Sequence, residues 1–159
     1  MATTSSPHDA VQVIATNRRA RHDYAVLSTL ECGLVLQGTE VKSLRQHHVH
    51  FGDSYALLRA GELFLLGMNI DPFSHGTHSN HEPQRTRKLL VHKRELRKLN
   101  RHVQQARHTL IPLQLHFRRG RAKVLLALAQ GKTHTDKRKT IQQRDMDREV
   151  GRVLKRGNR

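Results

Sequence analysis

The chain has 159 residues, with 29 Lys and Arg against 13 Asp and Glu, a formal net charge of +16 and a pI near 11.3. This is long enough for one domain with a core plus tails, and its charge attracts phosphate polymers by releasing their condensed counterions. No apolar stretch approaches the ~20 residues that span a bilayer, no lipidation motif is legible, and MATTSSPHDA lacks the pattern of a secretory signal, so nucleic acid rather than membrane is the expected partner.

In chain order, residues 1–10 are small and polar and are expected to be disordered. Val11 to Ala15 suits a short strand, and NRRARHDY suits an exposed loop carrying Arg18, Arg19, Arg21 and His22 and ending at Tyr24. Six apolar or alternating runs then predict strands at 24–27, 33–37, 55–58, 63–70, 110–117 and 122–129. RAGE at 59–62 and RRGR at 118–121 suit hairpin turns, each with one Gly able to take a positive φ, and Pro112 marks an edge or a bulge.

Between the strands, GTEVKSLRQ predicts a short helix with Thr39 as N-cap, Glu40 in the first turn, and Val41 and Leu44 facing inward. HKRELRKLNRHVQQA predicts a longer helix, with Leu96, Leu99, Val103 and Ala106 on one face and an almost entirely basic opposite face. So many short strands must close or be covered to hide their edges. The expectation is a small β-barrel of OB type with helices packed on it. The domain then covers 11–130, and 131–159 is a basic tail with ten Lys or Arg, four Asp or Glu and almost nothing to bury. Such a tail is expected to be disordered alone and to fold on a polyanion.

The single cysteine, Cys32, lies in the apolar run CGLVL, which excludes an internal disulfide and suits a buried thiol in a reducing cytoplasm. His75, His78 and His81 recur every third residue, but Cys or Asp at zinc-finger spacing is missing; the segment suits a polar loop rather than a metal site. Most acids sit beside Arg or Lys, as Asp23 after His22, Glu40 before Lys42 and Asp136 before Lys137, which suits carboxylates that hold basic side chains in place. No nucleophile, paired acid or cofactor motif is legible, so neither an enzyme nor a cofactor is expected. With aromatic content of 4% and no Trp, recognition must rest on Arg, Lys and His. Basic clusters at 18–21, 85–88, 93–98 and 118–123 and in the tail, with too few acids to neutralise them, put Arg85, Arg87, Lys88, Arg119, Arg121 and Lys123 among the candidate RNA-binding side chains.

The stretches ATNRRARHDY, GTEVKSLR, DSYALL, RTRKLLVHK and GKTHTDKR, in this order and spacing, resemble the SmpB family, the SsrA-binding proteins of bacteria, from about Val11 to Arg138. The resemblance implies an OB-type six-stranded antiparallel barrel with flanking helices. It also implies binding to the tRNA-like part of transfer-messenger RNA and its delivery, as a 1:1 complex with a monomer, to stalled ribosomes for trans-translation. It places Asn17, Arg18, Arg19, Arg21, His22 and Tyr24 in an RNA-facing loop and Glu40, Lys42 and Arg45 in an RNA-holding helix. Gly131, Lys132, His134, Asp136, Lys137 and Arg138 would belong to the part that meets ribosomal RNA in the decoding centre and the empty message channel. Thr135 stands before the Asp-Lys-Arg triplet where relatives often carry an aromatic residue or His. On a helical wheel, Met146, Val150, Val153 and Leu154 form an apolar stripe opposite Arg144, Arg148, Arg152, Lys155 and Arg159. The alternative reading of the same residues is a structural ribosomal protein with a basic barrel.

Overall fold

In a computed structural model the chain is described over residues 10–104 and 107–156, the last four of these as backbone only. Strands β1 (Val11–Thr16), β2 (Tyr24–Leu34), β4 (Tyr55–Arg59), β5 (Glu62–Leu66), β7 (Arg87–Leu90), β8 (His108–Arg118) and β9 (Arg121–Gly131) form one antiparallel sheet. Its order is β1-β8-β4-β5-β7-β2-β9, and β9 returns to pair with β8, so that β8, β4, β5, β7, β2 and β9 close into a ring. The expected six-stranded barrel is therefore present. β1 lies outside it, sharing an edge of β8 with β4: β8 meets β4 at Leu110 and β1 from Gln114 to Arg118. A small second sheet pairs β3 (Val49–His50) with β6 (Asn69–Ile70).

The strands differ from the sequence expectation in four places. The run at 24–27 and the start of that at 33–37 belong to the single strand β2, which ends at Leu34, because the intervening residues 28–32 also pair with β9. The run at 63–70 breaks at Gly67, whose φ of 76° turns the chain from the barrel into the small sheet. β7 carries no apolar run that betrays it, since one of its two buried positions is Arg87. β9 extends through Gly131, one residue past the expected domain boundary.

Both hairpins take two-residue turns with positive φ at each central residue: Ala60 (50°) with Gly61 (74°), and Arg119 (51°) with Gly120 (72°). Such turns match the right-handed twist of the flanking strands. Pro112 sits at a bulge, where the β8–β9 register shifts between Pro112 and Gln114. That shift lets a residue without an N–H lie inside a doubly paired strand.

Among the described residues the helices are α1 (Arg18–Asp23), α2 (Gly38–Arg45), α3 (Lys93–Gln104) and α4 (His134–Arg156). α2 begins before the expected cap. Its N-cap is Gln37, whose backbone N–H donates to Glu40 at 2.7 Å, while the Thr39 hydroxyl is engaged with His81 at 2.9 Å. The barrel core holds Cys32, Leu63, Leu65, Leu110, Leu115, Val124, Leu126 and Leu128, with Leu44 of α2 and Leu99 of α3 inserted into it. Each such side chain contributes roughly 1.5–3 kcal/mol relative to exposure. A second, smaller cluster joins Ala20 of α1 to Ile111, Leu113, Ala127 and Ala129 on the other face of the β8–β9 ladder. Ala106 and the residues before Ala10 lie outside the described residues.

The tail, expected to fold on a polyanion, is one continuous helix, α4. Its start is fixed locally, with the Thr133 hydroxyl donating to the Asp136 carboxylate at 2.7 Å and accepting from the Asp136 N–H at 3.3 Å. Asp145–Arg148 and Glu149–Arg152 ion pairs, each at 3.7 Å, add small terms along its length. It buries little. Met146 and Val150 are 63% and 58% exposed, so the stripe has no partner within the described chain; the side chains of Val153 and Leu154, with Lys155 and Arg159, lie outside the described residues.

Candidate nucleic-acid interface

The segment expected as a basic loop is instead α1, and Asn17 is the reason. Its side-chain oxygen accepts from the Ala20 N–H at 3.1 Å, and its amide donates to the Pro112 carbonyl at 3.0 Å. Both ends of the amide are thus used inside the protein, where Asn17 is buried. Within the protein, Asn17 caps α1 and ties it to the bulge of β8. An N-cap Asn before the helix-favouring RRAR was the available signal.

With Ala20 buried, Arg18, Arg19 and Arg21 project outward. Arg19 reaches Asp53 at 3.2 Å and Asp23 at 3.5 Å. Asp23 also meets His22 at 2.9 Å and Lys137 of α4 at 3.3 Å. The His22 hydrogen bond, aided by Lys137, holds the Asp23 carboxyl below its ordinary value against the effect of burial. Tyr24 packs on the small cluster at the end of α1. Lys132 continues the junction, its backbone N–H donating to the Asp23 carbonyl at 2.9 Å and its ammonium to the Arg21 carbonyl at 3.2 Å. α1 and the root of the tail therefore form one cationic corner, with one carboxylate holding groups from both. The acid in this junction was legible as a neighbour of His22; its reach to Lys137 was not.

A second group is built around Glu40, which is fully buried. Its oxygens accept from Arg87 Nε at 2.8 Å and from Arg85 at 2.7 and 3.2 Å. Burial pushes its pKa up, but Arg85, the Gln37 N–H and Arg87 outweigh that, and the carboxyl lies below its ordinary value. Arg87 is itself fully buried and donates to the carbonyls of Met68 (2.7 Å), Pro83 (2.9 Å) and Arg85 (3.0 Å). Glu40 and Arg87, both buried, thus hold α2 against β7, which suits the expected role of Glu40 as a carboxylate that holds basic side chains in place. Arg85, with a quarter of its side chain exposed, is the outward member. Lys88 pairs with Glu62, Lys42 lies 5.3 Å from the Phe73 ring centroid, and Arg45 is exposed.

At the β8–β9 turn, Arg119, Arg121 and Lys123 line an open concavity together with Arg118. Arg118 is steadied by Glu31 at 3.1 Å, and Glu31 also meets the buried His116 at 2.9 Å. The sequence gives no sign of this Glu31–His116–Arg118 chain, because its members sit on two strands whose register only the barrel fixes. Gly131 at the end of β9 and His134, Asp136, Arg138, Arg144, Arg148 and Arg152 on α4 are all exposed.

The histidine loop separates rather than converges. His81 is buried, one ring nitrogen facing Thr39 and the other the Ile70 carbonyl at 2.9 Å, whereas His75 meets Ser74 at 3.0 Å and lies tilted by 48° against the Phe73 ring. Among the described residues no three His, Cys, Asp or Glu gather into a set that could hold a metal. Cys32 is enclosed, and burial pushes its thiol up to about 12. No helix among the described residues is long and apolar enough to cross a membrane.

The SmpB protein family model matches residues 14–156. This chain belongs to the SmpB family. The SsrA-binding protein of Corynebacterium urealyticum is 54% identical over 142 residues, covering 89% of this chain and 80% of that protein. The one from Syntrophobacter fumaroxidans is 47% identical over 151 residues, covering 95% and 94%. A solved chain described as "tmRNA-SmpB: a journey to the center of the bacterial ribosome" is 52% identical, with a TM-score of 0.65 over 76% of this chain and 85% of that one. The family match spans the barrel, the cationic corner and α4, so the groups described above all lie within what the family shares in extent.

Proposed function

We propose that this protein binds the tRNA-like part of transfer-messenger RNA and carries it to stalled ribosomes for trans-translation, acting in the cytoplasm as a monomer and by binding rather than by catalysis. The observation that carries this reading is the cationic corner: Arg18, Arg19 and Arg21 stand out on a capped helix, Arg19 steadied by Asp23 and Asp53, directly beside the root of a basic helical tail. An Arg fork held as that of Arg19 is loses less freedom on meeting phosphate oxygens. Membership of a family whose relatives are named SsrA-binding proteins supports the choice of RNA. In this reading residues up to Gly131 form the RNA-binding body, with Arg85, Lys42, Arg45 and the Arg119–Arg121–Lys123 turn extending the phosphate-binding surface. The tail then enters the decoding centre and the message channel.

Changing Arg18, Arg19 and Arg21 together to Gln tests this. Affinity for transfer-messenger RNA should fall, and each lost phosphate contact should lower the salt-dependence slope by about one unit. A triple variant that keeps both affinity and slope places the RNA face elsewhere. Sequencing the RNA that copurifies with the protein provides an independent check; ribosomal RNA alone, at stoichiometric level and stable to high salt, would favour a structural ribosomal protein instead.

A further inference from the structure

His116 is a buried titratable side chain, only 3% exposed, that the surface described so far leaves without a task. Its neighbours Leu115 and Phe117 lie in the barrel core, so the alternation of β8 turns His116 and Arg118 to the opposite face. Glu31 stands on the same outer face, because Leu30 and Cys32 on either side of it pack with the core. The two side chains come from strands on opposite sides of β9, where Glu31 pairs with Leu125 and His116 with Lys123. Backbones two strands apart are about 10 Å from one another. The His116–Glu31 hydrogen bond of 2.9 Å closes that gap across β9.

The contacts of the carboxylate decide what it can do. Its Oε2 meets His116 Nε2 at 2.9 Å, while the Gln114 amide lies 3.5 Å from the other ring nitrogen. Arg118 reaches both carboxylate oxygens through a single nitrogen, Nη1, at 3.1 and 3.2 Å. No described contact uses its Nη2 or Nε, an edge of the guanidinium that can fork to a phosphate. Arg118 is 45% exposed and lines the open concavity with Arg119, Arg121 and Lys123. Glu31 is 27% exposed against 90% for Asp53, so its charge is drawn toward the sheet and away from an arriving phosphate.

Resting on the function proposed above, we propose that His116 is a positioning residue for RNA phosphate at the β8–β9 turn. Held by the sheet, its ring fixes the Glu31 carboxylate, and Glu31 holds Arg118 with the Nε–Nη2 edge free for the ligand. An exposed Arg that is ordered before it meets phosphate loses less side-chain entropy on binding. The relay also accounts for an acid at the rim of a phosphate-binding concavity: Glu31 orients a cation and does not itself touch RNA.

The test titrates the full-length protein with transfer-messenger RNA across a range of salt. His116→Phe removes the N–H donor and keeps a flat ring in a strand, where aromatic residues are favoured, whereas His116→Gln keeps a donor. Arg118→Gln should cost about three- to tenfold in affinity near physiological salt and lower the slope by about one unit. His116→Phe should reproduce most of that loss, and His116→Gln should stay within about twofold of the parent. His116→Phe with Arg118→Gln should bind no more weakly than Arg118→Gln alone. Parent-like binding by His116→Phe or by Arg118→Gln would overturn the inference, as would losses that multiply in the double variant. If His116→Phe melts early, Glu31→Gln decides, since it removes the charge that holds Arg118 and leaves the ring in place. It too must add nothing to Arg118→Gln; a further loss would make Glu31 itself an RNA contact and overturn the inference. Exchange of the Arg118 guanidinium N–H protons, followed by NMR without RNA, reads the holding step by itself. It should be slow in the parent and in His116→Gln, and fast in His116→Phe. If the unmodified protein fails to bind transfer-messenger RNA, the proposed function falls, whereas equal exchange in the three proteins overturns the positioning by His116.

Discussion

Glu40 and Arg87 meet at 2.8 Å with neither side chain exposed to solvent. One comes from the GTEVKSLR helix and the other from β7, so the pair closes the barrel wall against α2. Removing one partner leaves an uncompensated buried charge, which typically costs about 3–5 kcal/mol. Glu40→Gln should therefore lower the urea midpoint substantially, with the m-value little changed. A midpoint within error of the parent would mean that Arg87 finds another anion or reaches water.

The same pair sets a limit at low pH. The Glu40 pKa is lower folded than unfolded, so its contribution is fully present above the unfolded value, about 4.3, and is lost as pH falls through the folded one. Stability should therefore decline between pH ~4.5 and the acid limit, and Glu40→Gln should flatten that part of the profile. An unchanged slope in the variant would assign the acid sensitivity to other carboxylates.

Asp23 and Lys137, 3.3 Å apart, are the one ion pair among the described residues that joins the body to α4. Asp23→Asn should loosen the tail without unfolding the barrel. A dye on Gln142→Cys reports this, since Cys32 is buried with its thiol pushed up to about 12 and escapes labelling. Anisotropy should fall in Asp23→Asn and in Lys137→Gln, with no further fall in the double variant. Additive losses would show that the two side chains act separately.

Asp53 holds Arg19 at 3.2 Å while 90% of its own side chain is exposed. A carboxylate so placed repels an approaching phosphate as well as occupying the Arg fork. Asp53→Asn should strengthen transfer-messenger RNA binding a few-fold at low salt, with the gain shrinking as salt rises. Weaker binding in this variant would instead make Asp53 a positioning residue for Arg19.

The chain should tolerate loss of the tail if the cut respects β9. Gly131 pairs with Tyr24 and Lys132 donates to the Asp23 carbonyl, so truncation after Thr133 should leave a folded protein that retains RNA affinity but no longer supports tagging on a stop-less message. Met146→Asp with Val150→Asp should reduce tagging and leave the melting temperature unchanged, because both side chains are already exposed. Earlier melting would place the stripe against the barrel.

The sequence by itself determined the class of partner, the barrel and the order of its parts. Net charge survives any folding, and the short apolar runs leave a closed sheet as the economical way to hide strand edges. It also determined α3, whose Leu96, Leu99 and Val103 repeat with the helical period and are the positions that turn inward. Only the tertiary structure decided which basic residues face outward. Arg85 and Arg87 stand two apart in one cluster, yet one lines the surface and the other is fully buried, because Glu40 lies forty-seven residues from Arg87 in sequence and 2.8 Å away in space. Asn17 likewise reads as part of an exposed loop until the Pro112 carbonyl, ninety-five residues on, is seen to take its amide. A local pattern carries the period of a helix or strand, but the neutralisation of a buried charge depends on a partner that only the closed barrel brings within reach.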